Sequence, residues 1–98
     1  KLGDSYLILK DYLKDFSKIY VSVDMDVIDP SSAPGVGNPE PNGISIEKLL
    51  KFFNILKGKN IIGFDIVEVC PPYDIGISSI VAAKCLCELL TLSYLGHK

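Results

Sequence analysis

Residues 61–69 read IIGFDIVEV, a nearly unbroken apolar run that Pro71 and Pro72 bring to a stop. Such a run fits a β-strand covered on both faces, the kind found in parallel sheets flanked by helices. Upstream, Ile19 to Asp24 forms a second strand rich in β-branched residues. Between them Ser45 suits a helix N-cap, Glu47 stands in the first turn, and Gly58 ends the element. Its apolar stripe is Ile46, Leu49, Leu50, Phe53 and Leu56. An earlier helix is predicted where Tyr6, Leu9, Leu13 and Phe16 recur at helical spacing behind Asp4 or Ser5. A third, mostly apolar helix is predicted from about Ile77 to Tyr94, closed by Gly96.

The order is therefore α-β-α-β-α, with a right-handed crossover joining two parallel strands. Two strands make an inadequate parallel sheet, because such sheets need several strands and helices on both faces. The chain accordingly reads as a piece of a larger α/β protein whose N-terminal strands lie outside it.

With 98 residues, 48% hydrophobic and 22% charged, the chain suits one small domain and not a disordered tail. Net charge is −2 and the lysines are scattered, which argues against a nucleic-acid groove or an anionic membrane surface. Residues 75–95 are apolar enough to raise a membrane span, but Lys84 and Glu88 interrupt them, and a buried helix explains them better. The three cysteines, odd in number and set in apolar sequence, point to reduced thiols in the cytoplasm. Cys85 and Cys87, two apart on a helix, are poor metal partners and are expected in the core. His97, the only histidine, is expected to be exposed at the C-terminus.

The chemistry concentrates in VSVDMDVIDPSSAPG, residues 21–35, where Asp24, Asp26 and Asp29 crowd the exit of the first strand. Strand alternation would put Ser22, Asp24 and Asp26 on one face, opposite Val21, Val23 and Met25. Two carboxylates at the C-terminal edge of a parallel sheet can converge on hard cations such as Mg²⁺, Mn²⁺ or Ca²⁺. Hydrated turn residues account for an Asp-x-Asp equally well. Asp29 reads as structural, its carboxylate holding nearby backbone amides. From Pro30 to Gly43 runs a loop that is long for a compact domain, and such loops are usually functional or disordered. Its Gly35-Val36-Gly37-Asn38 is not a dinucleotide fingerprint, because Glu40 replaces the third glycine and no helix follows. Glu68, near the end of the apolar strand, could grip a guanidinium in a bidentate fork or simply pair with an unseen cation. Asp65, three residues earlier and on the opposite face, suits a structural hydrogen-bonding role.

SVDMDVIDPSSAPGVGNPEPNGIS followed by GFDIVEVCPPYD resembles the ureohydrolases, the arginase and agmatinase family, over nearly the whole chain in order and spacing. The Pro-Pro-Tyr-Asp version is more like agmatinases than arginases. The resemblance implies a three-layer α-β-α fold with an arginase-like parallel sheet. Residues 1–98 would be the C-terminal part of one such domain, with two strands and about three helices. It implies two Mn²⁺ ions, Asp24 bridging both, Asp26 binding one, Glu68 orienting the substrate guanidinium and Asn38 donating to the substrate. The reaction implied is metal-assisted hydrolysis of a small guanidino substrate, agmatine, to putrescine and urea, in a cytoplasmic enzyme that is a homo-oligomer when full length. The alternatives are another guanidino substrate, such as arginine or formiminoglutamate, or a catalytically inactive binding or assembly subunit. In the loop, Val36 and Asn38 stand where the family usually has threonine, and Asn42 where it usually has glycine. The family's histidine ligands come from upstream, so these 98 residues alone are expected to be inactive.

Overall fold

The structure is a computed structural model and describes residues 2–96. His97 lies outside the described residues. The elements follow the expected order: α1 (Leu2–Leu13), β1 (Lys18–Asp24), α2 (Ile46–Phe53), β2 (Asn60–Val67) and α3 (Ile77–Gly96). β1 and β2 pair in parallel as a two-stranded sheet.

Register explains the composition of both faces. Ile19 pairs with Ile61 but Tyr20 with Gly63, so Ile62 is an extra residue in a bulge. Beyond it Val21, Val23, Phe64 and Ile66 share the inner face, packed with residues of α2 and α3. Tyr20, Ser22, Asp65 and Val67 share the outer face. Gly63 is required there, because a Cβ would meet the Tyr20 ring at 2.8 Å. Asp65 is held by the Tyr20 hydroxyl at 2.7 Å and the Ser22 hydroxyl at 2.6 Å, the structural role expected of it. These donors, Ser22 foremost, keep the Asp65 carboxyl below its ordinary range, and the same contact raises the Tyr20 phenol.

The two faces of β2 differ from the sequence expectation. Ile61 is buried, but Ile62 is 64% exposed and Val67 39%. Among the described residues only the inner face is covered, so the double burial that the composition calls for is half met.

Ser45 caps α2 as predicted, its Oγ accepting from the Lys48 amide at 3.1 Å. The helix stops at Phe53, and Leu56 is buried from a following 3-10 turn instead of the helix itself. In α1, Asp4 and Ser5 lie inside the helix, not at its cap, and Asp4 serves the dipole from the first turn. Phe16 falls beyond the helix end, where Lys59 Nζ donates to the Leu13 and Phe16 carbonyls. This closes the helix with a cation, as its C-terminal dipole favours.

α3 buries Ser78, Val81, Cys85, Leu89 and Leu92 at three- and four-residue spacing. It is long and apolar enough to cross a membrane by length and composition, yet this face packs against β2 and α2. Cys85 belongs to the core, and burial raises its thiol pKa. Cys87 does not: two residues on, about 200° around the helix, it is exposed.

Candidate active-site edge

Asp24 ends β1 opposite Val67, the last residue of β2, so Glu68 leaves the sheet one residue past Asp24's partner. Strand geometry does not continue to Asp26. Residues Met25–Val27 form a 3-10 turn that seats Met25 fully in the core. Strand alternation therefore does not bring Asp24 and Asp26 together. A cap links them through the backbone instead: Asp24 Oδ1 accepts from the Asp26 amide at 2.9 Å. Asp26 is half-buried, and its Oδ1 is inaccessible to solvent with no hydrogen-bond partner. An unsatisfied buried acceptor costs about 1–3 kcal/mol, which a hydrogen-bond donor or a cation would offset. No group of three or more histidine, cysteine or acidic side chains converges on a metal-sized site among the described residues.

The loop after Asp29 is pinned rather than free. Asp29 accepts from the Ser31 amide at 2.9 Å and the Gly43 amide at 3.1 Å, joining the loop's two ends. The Ser31 side chain first, and then these amides, lower its pKa. Ile28 and Ile44 form a bridge across the same neck, where a Cβ on Gly43 would lie 2.7 Å from the Asp29 nitrogen. Asn42 sits at φ 63°, a left-handed conformation that glycine adopts freely and asparagine tolerates.

Further along, Val36 bridges Val69, and the Cys70 amide donates to the Gly35 carbonyl at 2.7 Å. This contact turns the loop over Glu68, whose Oε1 would lie 3.8 Å from a Cβ on Gly37. Glu68 and the loop are thus brought together, with exposed Asn38 next in sequence to Gly37. Glu68 has φ 71°, a strained value for a glutamate. That left-handed residue also breaks the alternation on which its opposition to Asp65 was based. Val36 is 2% exposed and belongs to the core, so its lack of a hydrogen-bonding group takes nothing from the surface of the site.

Two residues of this edge are not singled out by sequence reasoning. Asp74 accepts from the Gly76 amide at 3.0 Å and the Ser78 amide at 2.9 Å at the start of α3. Ser78, fully buried, accepts from the Gly35 amide at 2.7 Å. The available signal is Asp-x-Gly-x-Ser ahead of an apolar helix, which marks a cap. Nothing in it points across the chain to Gly35.

A parallel α/β edge with acidic strand exits and a turned-back loop is the kind of place where α/β proteins bind their ligands. The family model described as "Arginase family" matches residues 6–91, and the chain belongs to that family. It is 45% identical over 75 residues to an agmatinase of Chromobacterium violaceum, a match covering 76% of this chain and 23% of that protein. It is 44% identical over 73 residues to the human mitochondrial guanidino acid hydrolase, covering 74% of this chain and 21% of that protein. The solved proclavaminate amidino hydrolase of Streptomyces clavuligerus superposes with a TM-score of 0.87 at 36% identity, over 98% of this chain and 32% of that one. The chain spans about a quarter of the length of the curated relatives it matches.

Proposed function

We propose that, within a full-length protein, this chain contributes part of the active site of an agmatinase, which hydrolyses agmatine to putrescine and urea. Asp24 and Asp26 are ligands of a two-manganese centre, and Glu68 orients the guanidinium. The observation that carries this reading is Glu68, kept at φ 71° beside the end of β1 and beneath the loop at Gly37. Strain of this kind persists only where surrounding structure imposes it, and it gathers at functional sites.

The donors fit the metal. Both are hard oxygen ligands of the type manganese accepts, and the unpartnered Oδ1 of Asp26 supplies a buried acceptor awaiting a cation. When bound, the manganese pair supplies Lewis-acid activation of water. Two carboxylates leave most of a coordination shell to be filled by residues beyond these 98. Glu68 can accept two N–H donors of a planar guanidinium in a fork, fixing its carbon for attack. Gly37, lacking a side chain, leaves room above that carboxylate, and Asn38 can donate to the substrate from the rim.

Charge supports agmatine among guanidino compounds. No lysine or arginine lies between Lys18 and Lys48 or between Lys59 and Lys84, while both segments carry several acids. A distal ammonium is attracted by such an edge and a distal carboxylate repelled, by about 1–4 kcal/mol for one pair at close range. Agmatine carries the ammonium. Guanidino acids and arginine carry a carboxylate that nothing in this chain neutralises. The unpaired cysteines and dispersed lysines support a cytoplasmic protein acting on a small molecule, away from nucleic acid and membrane.

The test is urea release by the manganese-loaded full-length protein from agmatine, arginine and 4-guanidinobutanoate. The expected result is a kcat/KM highest for agmatine. Preference for the acid would overturn the substrate choice. Absence of urea from all three would point to the non-catalytic subunit instead.

A further inference from the structure

Asp74 and Ser78 lie at the start of α3, where they hold the loop that covers Glu68. The chain of contacts begins at the Gly35 amide, which donates to Ser78 Oγ at 2.7 Å in a fully buried position. Ser78 in turn donates its own backbone amide to the Asp74 carboxylate at 2.9 Å. That carboxylate is also fixed by the Gly76 amide, at 3.0 Å. On the other side of the same residue, the Gly35 carbonyl accepts from Cys70 at 2.7 Å. Gly35 is therefore gripped at both its N–H and its C=O. A side chain there is excluded, because a Cβ would lie 2.7 Å from Asp74 Cγ. Two residues later the loop passes Glu68 at Gly37.

An ordinary helix cap needs only the bonds from Asp74 to Gly76 and Ser78. The Ser78 hydroxyl goes further and takes an amide from a loop 43 residues away. We propose that Asp74 and Ser78 are positioning residues that hold Gly35 to Asn38 over Glu68 and so govern substrate binding without touching the substrate. This rests on the reading of Glu68 as the guanidinium acid. The grip itself is a separate, measurable property of the loop.

Full-length wild type, Ser78→Ala, Ser78→Thr and Asp74→Asn are compared by amide hydrogen exchange and, with manganese bound, by agmatine kinetics and metal content. In Ser78→Ala, exchange in residues 34–42 is expected to speed up by roughly three- to tenfold, the size of one lost hydrogen bond, while α3 keeps its protection. KM for agmatine rises by a similar factor, with kcat and manganese content within about twofold of wild type. Ser78→Thr, which keeps the hydroxyl, restores both. If Ser78→Ala does not fold, Asp74→Asn decides by the same two readouts. Unchanged loop exchange would overturn the proposal, as would faster exchange spread equally along α3 or an unaltered KM. A wild type that releases no urea defeats the reading of Glu68, and loop exchange then still decides whether the grip exists.

Discussion

At Glu68, backbone and side chain make opposite demands. The φ of 71° favours glycine, and a glutamate there costs on the order of 1–2 kcal/mol. Glu68→Gly is therefore expected to raise stability by about 1 kcal/mol in urea denaturation of the full-length protein, and to abolish substrate use. Glu68→Gln keeps the shape and loses the charge, so KM for agmatine should rise by tenfold or more, about 1.5–3 kcal/mol, with manganese content unchanged. Asp24→Asn should instead lose metal, read by elemental analysis. Manganese lost from Glu68→Gln would move Glu68 into the metal cage. Asp29 and Asp74 carry a pH prediction. Hydrogen bonds hold both carboxyls below their ordinary value of 3.8, so the folded pKa lies under the unfolded one. Their contribution is complete above the unfolded pKa and is lost as pH falls through the folded value. The denaturation midpoint should accordingly drop as pH falls below about 4, and less steeply in Asp29→Asn than in wild type. An identical pH slope for the two would contradict this.

The elements form for separable reasons. α2 begins where Ser45 can accept from Lys48 N, and Ser45→Ala should cost about 1 kcal/mol, seen as a lower thermal midpoint. α3 is capped at its start by Asp74 and held along its length by one face that fills the core from Ser78 to Leu92. Periodicity and cap chemistry made these helices and both strands readable, since the signals are local. The ends were less readable. The 3-10 turn at Met25–Val27 interrupts what looks like a continuing strand, because burying Met25 and capping with Asp24 together outweigh extension. Cys87 was misplaced for a simpler reason: an apolar helix offers no polar face to tell inside from outside.

Across the whole molecule, apolar surface remains uncovered. Ile75 is 92% exposed, Ile80 72% and Ile62 64%, on the loop before α3, the outward side of α3 and the outer face of the sheet. Exposed patches of this kind bind partners or drive association. The 98-residue polypeptide produced alone is expected to associate with rising concentration in light scattering and to release no urea. The full-length protein should be monodisperse. A soluble monomer of the isolated chain would show that this surface is tolerated in water.

The order of elements, the Ser45 cap and the acidic strand exit were legible from residues alone, because each depends on neighbours a few positions away, and the parallel pairing followed from the helix between the two strands. The grip of Ser78 on Gly35, the left-handed turn at Glu68, the withdrawal of Val36 into the core and the stranded oxygen of Asp26 were not. Each depends on segments distant in sequence meeting at one edge of the sheet, and no local pattern encodes which backbone group will be standing there when the chain closes.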